Sequence, residues 1–284
     1  MLGLALTAGG VLWLKRSVEA AALVRFERGV ERIHAEVLRR FEQSLDGLKG
    51  ARGAYAASAL LQRHEFRAYV ESRELENEFP GVRGFGFIER VLRKDLARFV
   101  AAERADGAPD FAVHTSGDAS DLYVVKFIEP LADNRPAWGY DLGQDPTRRA
   151  AAERAVHQIT LSARVTLLQD DKRGFGFLYL MPVYKRGSFP AGPKEREQFL
   201  AGLLYVPILV AELVRGVADA TAVAGSLEFQ LFQGGAGPMA QLMFDSGERL
   251  RGGTGAVQAA QIQGRLFEAS RSFALPSSRG RRPW

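Results

Sequence analysis

Glu129 and Asp141 are the two carboxylates in this sequence that could pair as acid and base. Their surroundings do not support catalysis. No G-x-S-x-G turn presents a nucleophile, and there is no cysteine. His34, His64, His114 and His157 are scattered without the H-x-x-x-H or H-E-x-x-H spacing that puts imidazoles on one metal. Gly252-Gly-Thr-Gly255 lacks the lysine of a phosphate loop and reads as a flexible turn. Asp133 and Asn134 read as turn formers, and Asp141 as an acceptor of hydrogen bonds near a helix start. The expectation is a chain without a catalytic centre, metal or cofactor.

One pentapeptide occurs twice, at Arg83-Gly-Phe-Gly-Phe87 and Arg173-Gly-Phe-Gly-Phe177. A dinucleotide loop needs three glycines between a strand and a helix, so that backbone N–H groups meet the pyrophosphate. Here two glycines alternate with phenylalanines and apolar strand residues follow. Both stretches therefore read as strands, with phenylalanines on one face and glycine opposite, where a helix or ligand comes close. The flanks differ, so this is not an internal repeat. Ordinary packing and a glycine face bordering a pocket both remain open.

The elements that would position such a site follow from composition and periodicity. The chain has 284 residues, 46% apolar and 25% charged, enough for one large folded domain or two small ones. Its net charge of +5 is scattered, apart from Arg279-Gly-Arg-Arg282, so no nucleic-acid-binding face is expected. The lack of cysteine suits an oxidising periplasm. Leu2 to Leu14 is uncharged and mostly apolar, then Lys15-Arg16 ends it. As a helix it covers about 20 Å, short of the roughly twenty residues a bilayer core needs. It could be the back end of a membrane helix, a signal-peptide core or a buried helix. A positive leading segment is absent, and the basic pair argues against that end facing out. The reading adopted is a shortened membrane anchor.

From Ser17 to about Ser58, Leu23, Phe26, Val30, Ile33, Val37, Phe41, Leu45 and Leu48 form a helical seam. It suits a coiled coil with a second copy, or a helix covering its own core. Gly47, Gly50 and Gly53 suit close packing. A second helix is expected over Gln62–Asn77, stopped by Phe79-Pro80-Gly81. Strands are expected over Val82–Val91, Phe111–Thr115, Leu122–Ile128, Ala163–Gln169, Gly174–Tyr184 and Ala201–Val206. Asp133 to Pro136 is a turn, and Pro190 to Pro193 a loop. Asp145-Pro146 caps a helix running to about Gln158, and another helix begins over Val210–Arg215. A smaller strand-bearing unit fills Ser226–Phe273. The order is α+β.

Several ordered landmarks then coincide: Phe79-Pro-Gly-Val82, Glu129-Pro with Asn134, Gly139-Tyr-Asp-Leu142, Arg148-Arg-Ala-Ala-Ala-Glu-Arg154 and Pro182-Val-Tyr184. As a set they resemble the CHASE family, extracellular sensor domains of bacterial histidine kinases and diguanylate cyclases and of plant cytokinin receptors. The resemblance covers Gln62 to Val210 well and the rest loosely. It implies a long N-terminal stalk helix followed by two PAS-like antiparallel-sheet units, the membrane-distal one larger. The expected divisions are a membrane anchor over 1–14, stalk helices over 15–77, a distal unit over 78–209 and a truncated proximal unit over 210–284. A second membrane helix and a kinase or cyclase output domain are not expected within the chain. It further implies a bacterial inner-membrane protein with its sensor domain in the periplasm, a homodimer through the stalk, and a small-molecule ligand in the distal pocket.

By that resemblance the acidic anchor of the plant receptors falls on Pro146, with Asp145 adjacent, so cytokinin is not implied. The pocket hydroxyl falls on Ser162 and two wall positions on Leu168 and Leu180. Tyr123 and Arg149 are added as donors, and two arginines, Arg148 and Arg149, would suit an anionic ligand. The alternatives are a stand-alone periplasmic solute-binding or adaptor protein and, less favoured, a hydrolase using Glu129 or Asp141.

Overall fold

Fifty-six residues without a proline form the first helix, α1 (Leu2–Ala57). The structure, a computed structural model, describes residues 2–57, 62–168, 175–217, 228–234, 240–246 and 269–272. Helices α2 (Arg63–Glu71) and α3 (Leu75–Glu78) follow, then strand β1 (Phe85–Leu92), α4 (Leu96–Ala105) and β2 (Asp121–Glu129). A short α5 (Leu131–Asn134) leads to α6 (Pro146–Ala155), then to β3 (Thr160–Leu161), β4 (Val165–Thr166) and β5 (Phe175–Tyr184). Next come α7 (Pro193–Gln198), β6 (Leu200–Leu209), α8 (Val210–Leu213), β7 (Gln230–Gln233) and β8 (Gln241–Asp245). The architecture is α+β, as expected.

The main sheet is antiparallel, in the order β2-β1-β6-β5-β3, with β4 also on β5; β7 and β8 form a second, two-stranded sheet. Period-two alternation divides most of the main sheet between two cores, and a third, smaller one gathers Val91, Leu122 and Val124 with Phe99 and Phe111. Phe85, Phe87, Phe127, Phe177, Tyr179 and Leu204 face α1 and α2. Ile88, Tyr123, Leu178, Leu180, Leu203 and Tyr205 face α6. Burying each large apolar side chain stabilises the fold by about 1.5–3 kcal/mol.

Helix α1 lies on its face through Ile33, Val37, Phe41, Leu45, Leu48 and Ala51, all buried. The latter part of the seam thus covers this chain's own sheet. Further toward the N-terminus, Val11, Leu12, Trp13, Leu14, Val18 and Leu23 are exposed. No helix among the described residues is long and apolar enough to cross a membrane.

The two glycines at the helix–sheet contact fit the sequence reading. A Cβ on Gly47 would press on Phe85 and Phe79, and the Tyr69 hydroxyl lies where a Cβ on Gly50 would go. Gly53 does not, because its Cβ would meet open space. The expected helix over Gln62–Asn77 is two helices, broken at Ser72–Glu74. Phe111–Thr115 is not a strand: only His114 makes a bridge, to Tyr140, while Phe111 packs on Phe99 and Trp138. The expected strand over Ala163–Gln169 is reduced to β4, with β3 preceding it. Helices α4 and α7 were not anticipated. Arg173, Gly174 and Gly252–Gly255 lie outside the described residues, as does most of the stretch beyond Ser246.

Candidate functional site

Helix α6 crosses the sheet face opposite α1. Asp145 starts it: its carboxylate accepts the Arg148 backbone N–H at 2.8 Å, and Pro146 stands at the first helical position. Ala151, Ala152 and Ala155, all fully buried, bring the helix close to the sheet.

One residue beneath the helix explains the first RGFGF. Gly86 of β1 pairs with Tyr205 of β6, and a Cβ on Gly86 would overlap the Tyr205 ring and stand 2.8 Å from the Phe127 carbonyl oxygen. Phe85 and Phe87, on the other face, pack toward α1. The glycine lets a tyrosine ring lie over the strand, and that tyrosine borders a cavity.

The cavity has a volume of about 20 Å³, room for roughly one water molecule. Its apolar walls are Val125, Ala137, Leu142, Leu167, Leu168 and Leu178, and its polar groups are Tyr140, Arg148 and Tyr205. Arg148 is buried at the first turn of α6. It donates from Nη1 to Asp145 Oδ2 at 3.0 Å and from Nη2 to the Thr166 carbonyl at 2.6 Å, with its guanidinium carbon 5.6 Å from the Tyr140 ring centre. Tyr205 is only 2% exposed, and its hydroxyl has no hydrogen-bond partner among the described residues. Burial alone pushes its phenol pKa far above the usual range, so it stays protonated. The Tyr179 hydroxyl is also without such a partner, but it sits on the α1 side and borders neither concavity described here.

The residues expected to form the site are not gathered at this cavity, and one of them borders it. Leu168 lines it, and Leu180 is fully buried in the same core. Asp145 stands behind Arg148 as cap and counter-ion. Ser162 spends its hydroxyl on the main chain, donating to the Ala163 carbonyl at 2.7 Å and accepting from Leu178 N–H at 2.9 Å. Arg149 points along the sheet edge, bonding the Gly143 and Asp121 carbonyls at 2.9 and 2.8 Å. Tyr123 lies buried with Arg90 and Arg149 within 6 Å of its ring, and burial pushes its phenol up to about 12. Arg148, rather than its neighbour, faces the cavity. Tyr140 stands in the Gly139-Tyr-Asp-Leu142 landmark, but neither it nor Tyr205 is among the expected site residues; the one signal for Tyr205 is the glycine opposite it.

The conspicuous carboxylates serve the framework. Asp141 accepts from Tyr123 N–H, Gly143 N–H and the Thr115 hydroxyl at 2.9, 2.7 and 2.8 Å. Glu129 accepts from Arg67 at 3.2 Å and Leu131 N–H at 3.0 Å. Asn134 donates to the Arg83 and Pro130 carbonyls at 2.9 and 2.8 Å. These bonds fold the segment between β2 and α6. No group of three metal-binding side chains occurs among the described residues.

A larger concavity of about 380 Å³ lies elsewhere, between Val70–Asn77 and Glu129-Pro130. Glu71, Glu74, Glu76, Glu129 and Arg73 line it. It is an open groove, whereas the smaller cavity is walled by core residues and includes Tyr205, whose buried hydroxyl has no partner among the described residues.

With this geometry in view, the chain was compared with known proteins. The family model described as CHASE domain matches residues 60–244, well over half of the chain. No curated protein matches it.

Proposed function

The chain belongs to the CHASE family, whose members are extracellular sensor domains of signalling receptors, and on that premise we propose that it binds a small molecule in the cavity beneath α6. The observation that carries this reading is a buried polar end, Arg148 and Tyr205, set in an apolar chamber between sheet and crossing helix. In the same reading, residues 78–209 form the membrane-distal unit and 210 onward the proximal one. The domain works in a bacterial periplasm, tethered at the inner membrane near its N-terminus. The exposed apolar part of α1 meets a second copy.

Transmission would be a population shift. Ligand favours one packing of α6 on the sheet, and α1, which lies on the opposite face of the same strands, moves with it. A thermal-shift screen of the chain against purines, amino acids, carboxylates and short peptides tests this, since any ligand of the native state raises the midpoint by mass action. The expected result is a hit that Leu178→Trp, which fills the cavity, abolishes. A hit indifferent to Leu178→Trp contradicts the location. A folded protein silent across the panel contradicts small-molecule sensing.

A further inference from the structure

The chemistry of the lining narrows the ligand. This step rests on the reading just given, that the cavity beneath α6 is the sensing site. Apart from its apolar walls, the cavity is bordered by one guanidinium and two phenols. A guanidinium only donates, and among the described residues no Asp, Glu, Asn or Gln side chain lines the cavity to receive a donor. A ligand that presents N–H groups or a positive charge finds no side-chain acceptor among the described lining residues other than a phenol oxygen. One that presents an acceptor finds several donors.

Two observations say where that acceptor would go. Tyr205 lines the cavity, its buried hydroxyl has no partner among the described residues, and a buried polar group gains most from being satisfied. Arg148 keeps its charge compensated by Asp145 through Nη1, but spends Nη2 on a neutral carbonyl, that of Thr166. A carboxylate is a stronger acceptor for a guanidinium than a peptide carbonyl, because the bond is charge-assisted at both ends. Arg148 can therefore exchange Thr166 for a ligand oxygen without losing its counter-ion.

We infer that the ligand is a small monocarboxylate with an apolar body, its carboxylate taken by the Arg148 guanidinium and the Tyr205 hydroxyl in place of the Thr166 carbonyl. The exchange opens the chamber at the same time. A cavity of about 20 Å³ admits no organic molecule as it stands, and Leu167 and Leu168, which wall it, directly follow the strand that Arg148 holds. That strand is joined to the second sheet: Arg164 Nη1 donates to the Leu242 carbonyl at 2.9 Å, and Gln233 Nε2 to the Ser162 carbonyl at 2.8 Å. Releasing Thr166 thus loosens a segment that is hydrogen-bonded to β7 and β8.

The test is calorimetric titration of the whole chain with butyrate, hexanoate and benzoate, each against the matching amine and alcohol. The expected result is binding of a carboxylate, no binding of its amine, and at least tenfold weaker binding in both Tyr205→Phe and Arg148→Lys. Tyr205→Phe leaves the packed ring in place, so it keeps the test valid if Arg148→Lys does not fold. Carboxylate binding unaltered in Tyr205→Phe overturns the inference by putting the site elsewhere. Amines or alcohols binding as tightly as carboxylates, and weakened by the same variants, overturn the ligand class but leave the sensing cavity standing. If no carboxylate binds while a compound from the wider screen does so in a Leu178→Trp-sensitive way, again only the class is overturned. If nothing in either set binds the folded chain, the sensing reading falls with it.

Discussion

Gly86 and Tyr205 face one another across β1 and β6, and the absence of a side chain on the first is what lets the ring of the second lie over the sheet. The pair joins the most visible motif in the sequence to the wall of the candidate site. It also explains why one face of β1 is built from phenylalanines and the other is bare at this point. A Gly86→Ala chain must push a fully buried ring or shift the Phe127 carbonyl, so it should lose about 2–3 kcal/mol of stability. Tyr205→Leu in the same chain should recover part of that loss. Denaturant unfolding of the two single variants and the double variant measures this coupling; strict additivity would show that the two residues do not conflict.

Tyr205→Phe should leave stability unchanged or raise it by about 1 kcal/mol, because it deletes a buried hydroxyl that has no partner among the described residues. A hydroxyl kept for architecture would behave the opposite way. A drop of more than about 1 kcal/mol in urea unfolding would mean that the group is already satisfied, and would remove the main reason for assigning it to a ligand.

Glu103 of α4 is held by two cations, Arg63 Nη2 and Lys126 Nζ, each at 2.8 Å, and its side chain is almost wholly buried. Replacing it with leucine strands two desolvated positive charges, although Lys126 keeps Glu89 at 3.2 Å. The expected cost is about 3 kcal/mol. A Glu103→Leu chain within 1 kcal/mol of the parent would show that the network contributes little.

Acid should weaken the junction between α1 and α8. The Arg39 hydrogen bond, and then that of Arg40, hold the Glu36 carboxyl down at about 2 from an ordinary 4.5, while Arg40 also donates to the Leu213 and Arg215 carbonyls. A depressed acid contributes stability above its unfolded-state pKa and loses it as pH falls from 4.5 through about 2. The shift alone would correspond to ~3 kcal/mol, but Arg39 is half exposed, and solvent screening reduces this to about 1 kcal/mol. Glu36→Gln should therefore be less stable than the parent at pH 7, with the gap closing near pH 2. An equal gap at both pH values would contradict the assignment.

The parts of this fold that the sequence reveals are those decided locally. The seam from Ile33 to Leu48 follows helical spacing, and Asp145-Pro146 carries a cap and a first-turn proline, so α1 and α6 were both foreseeable. The failures occur where side chains replace the expected ladder. Ser162 takes the Leu178 N–H and Arg148 takes the Thr166 carbonyl, so an apparent strand over Ala163–Gln169 is reduced to the two residues of β4. Helix α4 was missed because its buried face includes a glutamate, which only makes sense once Arg63 and Lys126 are brought to it.

At the site, Arg148 and Arg149 are adjacent in sequence but about 100° apart on a helix, and nothing local says which of them faces inward. Ser162 kept the hydroxyl that the resemblance suggested, but used it on the backbone. Tyr205 depends on strand register, which no single sequence displays.

The most direct measurement is hydrogen–deuterium exchange of the whole chain with and without the strongest binder from the small-molecule screen. The account predicts slower exchange in α6 and in β5 and β6 around Leu178 and Tyr205, together with faster exchange at Val165–Leu168. Changes confined to Val70–Asn77 and the stretch beside Glu129-Pro130, with α6 untouched, would place the ligand in the open groove and contradict the account.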